Sequence, residues 1–293
     1  MPRSPSVIGA VITVDMTIRY SNRSLNMIRK FLLISILLVS GEIFAAVRIV
    51  SLAPAVTDAI VEIGAVDLLC GRSRVCDAPG TAAIPVAGDM GLPAVEKILQ
   101  LRPTHVISDT RHPGGNWKFL EQRGIKLIFL PGKKIADFPE NLRILGKLIK
   151  REKSAGIAAE KFEKKIAALR NAKIARRPRV LAVFAIPPVI SCGKNSFVNE
   201  ALEVAGAENV CGKMERSYFT LSTEYIIKAA PEAIIIAGVP EKAVREYFKR
   251  PEFRSLPAVK MQNFIPVDPN HFCRAGSKLP DAIRQLKKVL SLE

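Results

Sequence analysis

Short apolar runs alternate with helix-periodic segments along most of the chain. RIVSLA (48–53) predicts a strand, followed by a helix from Ala55 to Gly64. Leu68–Cys70 and Ile84–Val86 predict two more short strands, and Ala94–Leu101 a helix. His105–Ser108 reads as a strand, Asn116–Arg123 as a helix stopped at Gly124, and Lys126–Leu130 as another strand. Such strand–helix–strand alternation predicts a largely parallel sheet covered by helices. Pro79-Gly80, Pro113-Gly114-Gly115 and Pro131-Gly132 punctuate the connections.

The pattern changes at Asp137. Glu140 follows three residues on, a capping-box-like start, and Pro139 suits a first turn. Leu142, Leu145 and Ile149 then recur at helical spacing. Lys153 to Lys173 predicts a second helix with Ile157, Phe162, Ile166 and Leu169 on one stripe. About 20 residues would span about 30 Å, the breadth of a small domain. Beyond Pro178 the first grammar returns. Strands are expected at 179–186, 233–238 and Phe264–Val267, and helices at Asn195–Ala205, Thr223–Ala229, Pro240–Lys249 and Leu279–Leu290.

The start of the chain is different. Phe31–Val39 reads FLLISILLV, preceded by Arg29 and Lys30 and followed by Ala45 and Ala46. A membrane span needs about 20 apolar residues, so this run reads as a secretory signal cleaved near Ala45 or Ala46. Met27 is where such a signal would begin, which makes residues 1–26 an over-long start. No Cys precedes Cys70, so lipid attachment at a processed Cys is not expected. The mature chain should be exported to the periplasm, an oxidising compartment.

Composition narrows the class. The 293 residues are 48% hydrophobic and 24% charged, which excludes a disordered or collagen-like chain. Net charge is +17; the first 46 residues hold five basic and two acidic residues, so +14 remains on the body. Nucleic acid is not the expected partner, because no aromatic–basic module accompanies the charge. HExxH, GxSxG, P-loop and paired CxxC patterns are missing, so neither a metal site nor a catalytic group is expected. Five Cys is an odd number. Cys70 lies among apolar residues as a buried thiol, while Cys192 and Cys211 bracket one helix and form the disulfide candidate.

Four ordered segments carry a resemblance: VRIVSLAPAVTDAIVEIGA, AVEKILQLRPTHVIS, SFVNEALEVAGAENV and LSTEYIIKAAPEAIII. Together they resemble the periplasmic substrate-binding proteins of cobalamin, haem and iron-siderophore importers, with the cobalamin-binding branch nearest. The resemblance runs from Val47 to Leu290. It implies an α/β fold of two Rossmann-like lobes joined by a single long helix, with the ligand cleft between them. The lobes would be 47–150 and 178–293, and the connecting helix 151–177. It also implies a monomer that meets an ABC permease and its ATPase, and carries a small-molecule cargo without a cofactor of its own. Glu96 in AVEKI and Glu224 in STEYI match the family's permease-docking acids. Each also lies at a predicted helix start, where the helix dipole tolerates a negative charge.

The cargo implied is cobalamin or a related corrinoid, with an iron-siderophore or haem as the alternative. Tyr218 and Phe219 fall where a corrin-clamping aromatic is expected. The first-lobe loops depart from that pattern, offering Arg72, Arg74, Asp89, Met90, Arg111 and His112. Near the end of the chain, Asn270, His271, Phe272 and Arg274 complete the candidate ligand set. Arginine suits carboxylates, and either loop His could ligate a haem iron. Cys76 and Cys273 are expected to face each other across the cleft. A rival reading, an exported α/β enzyme, would use Cys76, His271 or Asp268.

Overall fold

The computed structural model describes residues 47–172 and 176–291. The expected signal segment 1–46, with Met27 and the cleavage point near Ala45 or Ala46, lies outside the described residues, as do 173–175 at the end of the expected connecting helix.

The first lobe is built on a six-stranded sheet. Its strands are β1 (Ile49–Ser51), β2 (Leu69–Ser73), β3 (Val86–Asp89), β4 (Leu92–Pro93), β5 (His105–Ser108) and β6 (Lys126–Phe129). The order is β4-β3-β2-β1-β5-β6, parallel except for the short β3–β4 hairpin. Central β1 is buried throughout, as a parallel strand covered on both faces must be. Helix α1 (Pro54–Glu62) covers one face; α2 (Val95–Leu101) and α3 (Trp117–Gln122) cover the other. The single Trp117 is 4% exposed, and its indole donates to the His112 carbonyl at 3.0 Å. It is a core anchor.

Helices α4 (Asp137–Leu148) and α5 (Glu152–Asn171) follow. Asp137 does not cap α4: its Oδ2 instead accepts the backbone N–H groups of Lys133 and Lys134 at 2.8 and 2.9 Å. The buried stripe of α5 also differs from expectation. Ile157 is 60% exposed, and Ala155, Ala158 and Ala159 lead into Phe162, Ile166 and Leu169. The alanines let α4 come close. A Cβ on Gly146 would lie 2.4 Å from that of Ala155.

The second lobe has a four-stranded parallel sheet of β7 (Arg179–Val183), β9 (Glu208–Asn209), β11 (Ala233–Ala237) and β12 (Phe264–Val267), in the order β12-β11-β7-β9. A separate antiparallel ribbon joins β8 (Ile190–Cys192) to β10 (Tyr218–Thr220). Its helices are α6 (Phe197–Ala205), α7 (Thr223–Ala229), α8 (Glu241–Phe248), α9 (Pro257–Lys260), α10 (Pro269–Phe272) and α11 (Leu279–Leu290). Ser196 and Ser222 cap α6 and α7 by accepting the N–H groups of Asn199 and Tyr225, both at 3.2 Å.

One hydrophobic cluster runs through both lobes. It links Ile60, Phe138 and Leu142 to Phe162 and Ile166 of α5, and onward to Leu202 and Ile283. Polar ties flank it: Lys161 reaches Glu62 of α1 at 3.5 Å, and Lys165 reaches Asp281 of α11 at 3.1 Å. The long helix is therefore fastened to both lobes.

Candidate functional site

In the first sheet the chain proceeds outward from β1 through β2 and β3, then in the other direction through β5 and β6. Open α/β sheets bind ligands in the crevice outside the carboxyl ends of their strands, at such a reversal. Every parallel strand of this sheet contributes there. Pro54 and Ala55 follow β1, Val75 follows β2, Met90 follows β3, Asp109 follows β5 and Gly132 follows β6; all line one cavity of about 270 Å³. The second lobe supplies Phe197 at the start of α6, together with Pro269, Cys273, Arg274 and Ala275. Small-molecule pockets usually run to about 300–1,000 Å³, and this cavity lies at the low end of that range. Exposed Val75 and Met90 offer apolar surface there.

Gly91 brings two of these loops together. Its φ is +64°, and a Cβ there would lie 2.4 Å from the Thr110 methyl. Its carbonyl accepts the His112 N–H at 3.0 Å. Met90 and Asp109 are thereby held on the same rim.

The lobes touch on both sides of the cleft. Arg274 pairs with Asp77 of the first lobe and donates to the Val75 carbonyl at 3.1 Å. It also donates to Asn270 Oδ1 at 2.7 Å. On the other side, the Ile135 N–H donates to Glu200 Oε2 at 3.1 Å.

Several expected ligand residues have other employment. Arg72 donates to the carbonyls of Ser73, Cys76, Thr81 and Ala82, so it fastens its own loop. Phe272 is fully buried in the shared core and cannot reach a ligand. Successive strand residues face opposite ways. Tyr218 stacks edge-on against Phe184 at 5.3 Å, while Phe219 packs into the second-lobe core and lines a groove with Met214 and Tyr225. Asn270 holds Arg274, and His271 pairs with Asp268 at 3.1 Å within one turn. His112 Nδ1 accepts the Gly114 N–H at 3.1 Å, closing its own turn. Neither Arg74 nor Arg111 lines the cavity: Arg74 pairs with Asp89 at 2.9 Å, and the Arg111 guanidinium lies 4.7 Å from the Phe129 ring centre.

Asp109 was not among the candidates. It has no hydrogen bond or ion pair to another side chain, and its Oδ1 is buried without a partner. Burial pushes its carboxyl pKa up, partly offset by its own backbone N–H. The sequence signal was its position immediately after a strand end.

Burial pushes Cys273, which lines the cavity, up to about 12, reinforced by nearby Cys192 and Asp268. Cys76 is buried between the hydroxyls of Thr57 and Ser73, each at 3.0 Å, and does not face Cys273 across the cleft. Cys192 and Cys211 are both free. Adjacent Ser191 and Cys192 point to opposite faces of β8; Cys211 belongs to the core behind Ser191, and Cys192 to the other core. The expected cross-link is not formed. No group of three or more His, Cys, Asp or Glu suited to a metal ion occurs among the described residues.

Glu96 and Glu224 are exposed in the first turns of α2 and α7. A backbone N–H and the Ser222 hydroxyl lower the Glu224 pKa, so it is an anion at neutral pH.

The family described as periplasmic binding protein matches residues 49–270. A vitamin B12-binding protein of Pectobacterium carotovorum subsp. carotovorum (strain PC1) is 28% identical over 276 residues, covering 90% of this chain and 96% of the relative. Among solved structures, the periplasmic heme-binding protein RhuT from Roseiflexus sp. RS-1 in its apo form superposes with a TM-score of 0.76 at 22% identity. That match covers 84% of this chain and 98% of the other. The vitamin B12-binding protein BtuF of Vibrio cholerae gives 0.72 at 22% identity, covering 84% and 96%.

Proposed function

The chain belongs to the periplasmic binding protein family, and from that premise we propose that it captures cobalamin or a related corrinoid and delivers it to an ABC permease with its ATPase. Its relatives bind substrates and are not enzymes, and what they hold is cargo, not a resident cofactor. The reading rests on one observation: a cavity between two lobes at the carboxyl ends of five parallel strands, in a chain similar over most of its length to a vitamin B12-binding protein. The segment from Met27 to about Ala46 acts as the export signal, and the mature chain works as a monomer in the periplasm. The rival enzyme reading lacks an activated nucleophile, because Cys76 is buried and bonds to Thr57 and Ser73, not to the His271–Asp268 pair.

Exposed Arg74 and Arg111, each within two residues of a cavity-lining position, favour a second reading, in which the cargo is haem or an iron-siderophore. Native mass spectrometry and an absorbance spectrum of the protein purified from its own periplasm test both. A corrin spectrum, reproduced by titration with cyanocobalamin to micromolar affinity or better, is expected. A haem Soret band, or siderophore binding without cobalamin binding, replaces the first reading with the second.

A further inference from the structure

We infer that Asp77 is a positioning residue for cargo retention: it holds Arg274 across the joint as a latch that closes one wall of the cleft and slows cargo release. The inference rests on the proposed cargo-binding role and adds to it a determinant of the release rate.

Arg274 is rooted in the second lobe, yet two of its three acceptors belong to the first. Its Nη1 donates to Asp77 Oδ1, and its Nη2 to the Val75 carbonyl at 3.1 Å and to Asn270 Oδ1 at 2.7 Å. Together these bonds fix the orientation of the planar guanidinium as well as its place. The Arg274 side chain is only 16% exposed, so water weakens its pairing less than it would at an open surface. Val75 and Arg274 both line the cargo cavity, whereas Asp77 does not. The pair therefore ties two parts of the cavity wall, one from each lobe, through an acid that stands outside the cavity. Gly276, two residues further on, packs against Asp58 of α1, which seats the same turn on the first lobe. Across the cleft, the bond between Ile135 and Glu200 has a backbone N–H as its donor. That tie holds one charge where the latch holds two. The shared core limits any wide opening, but a local parting of segments 75–77 and 274–276 must break the ion pair and the bond to Val75. The wall yields to departing cargo only when both are broken.

The test times the release of radiolabelled cyanocobalamin into an excess of the unlabelled compound. It compares the wild type, Asp77→Asn, Arg274→Gln and the double variant, with melting curves to check that each is folded. Asp77→Asn should release cargo about fivefold faster, the effect of one partly exposed charge pair. Arg274→Gln should be at least as fast, and in that background Asp77→Asn should add less than about a further 1.5-fold, because the two residues act as one unit. Raising NaCl from about 50 to about 500 mM should speed release from the wild type and leave Asp77→Asn unchanged, since salt screens a pair that Asn no longer forms. A residue that only packed would give neither the coupling nor the salt response. If Asp77→Asn releases cargo at the wild-type rate, or the two substitutions act independently, the latch is overturned while corrinoid capture stands. A wild type that does not bind cyanocobalamin overturns the corrinoid reading, and the same four proteins are then timed with haemin, where the same outcomes decide the latch. Binding of neither compound overturns both.

Discussion

Gly276 approaches Asp58 of α1 so closely that a methyl group on Gly276 would lie 2.8 Å from Asp58 Oδ2. The carboxylate is thus half-buried at the joint between the lobes. Burial is the largest influence and raises its pKa from 3.8 to about 6; Asp77 adds to this, while Arg274, Lys278 and His271 oppose it. Folding therefore favours the protonated acid. Because the folded-state value lies above the unfolded one, stability from this group is fully present below about pH 4 and falls as pH rises towards 6.

Asp58→Asn removes that dependence. At pH 7 the variant should be more stable than the wild type, by up to roughly 3 kcal/mol, and at pH 4 the two should converge. Urea unfolding at pH 4, 5, 6 and 7 measures the gap. A gap that stays constant across that range would show that Asp58 ionisation is not responsible.

The free thiols lead to a second expectation. Cys192 and Cys211 belong to different cores on opposite faces of β8, and a disulfide needs Cα atoms within about 7 Å and converging Cβ directions. Thiol titration in denaturant without reductant should therefore find all five cysteines reactive. Reductant should leave the melting temperature unchanged. A count of three would mean that a bridge forms after all.

The long helix sets the third. Phe162 of α5 stacks against Phe138 at 5.0 Å and is 4% exposed within the cluster that joins the lobes. Phe162→Ala should cost about 3–5 kcal/mol and lower the stability of both lobes in one transition. The same continuity restricts opening, since hinges lie at loops and element ends and this core has no gap at α5. Scattering profiles with and without cargo should nearly superimpose, and a large domain rotation would contradict the shared-core account.

The strand and helix pattern was legible because burial imposes period. His105–Ser108, Thr223–Ala229, Phe264–Val267 and Leu279–Leu290 begin and end where the pattern places them. The β8–β10 ribbon was not legible: three-residue strands contain too few alternations to display a period. Ile157 misled because it falls at helical distance from apolar neighbours, whereas the alanines beside it do the packing. The site was harder still. Which arginine is free depends on partners far away in sequence, as with Arg274 and Asp77. Asp109 could be weighed only once its missing partner was visible.

The last expectation concerns delivery. A permease that grips one lobe alone could neither sense the position of the other nor separate the two, so recognition should involve one acid from each lobe. Glu96 and Glu224 are both exposed in the first turn of a helix, one per lobe, and neither lines the cargo cavity. An exposed ion pair contributes only about 0–1 kcal/mol, but desolvation at an interface raises this, and complementary charge speeds encounter. Glu96→Ala or Glu224→Ala should leave cargo affinity within a factor of about two while slowing uptake, because removing one interfacial charge changes encounter more than cargo binding. The double reversal to Lys should nearly abolish uptake, since like charges would then oppose basic patches on the permease. Uptake into cells or proteoliposomes, measured beside calorimetric affinity on the same variants, separates the two effects. Uptake that falls only in proportion to affinity would move both residues into the binding site and leave the permease contact to other surfaces.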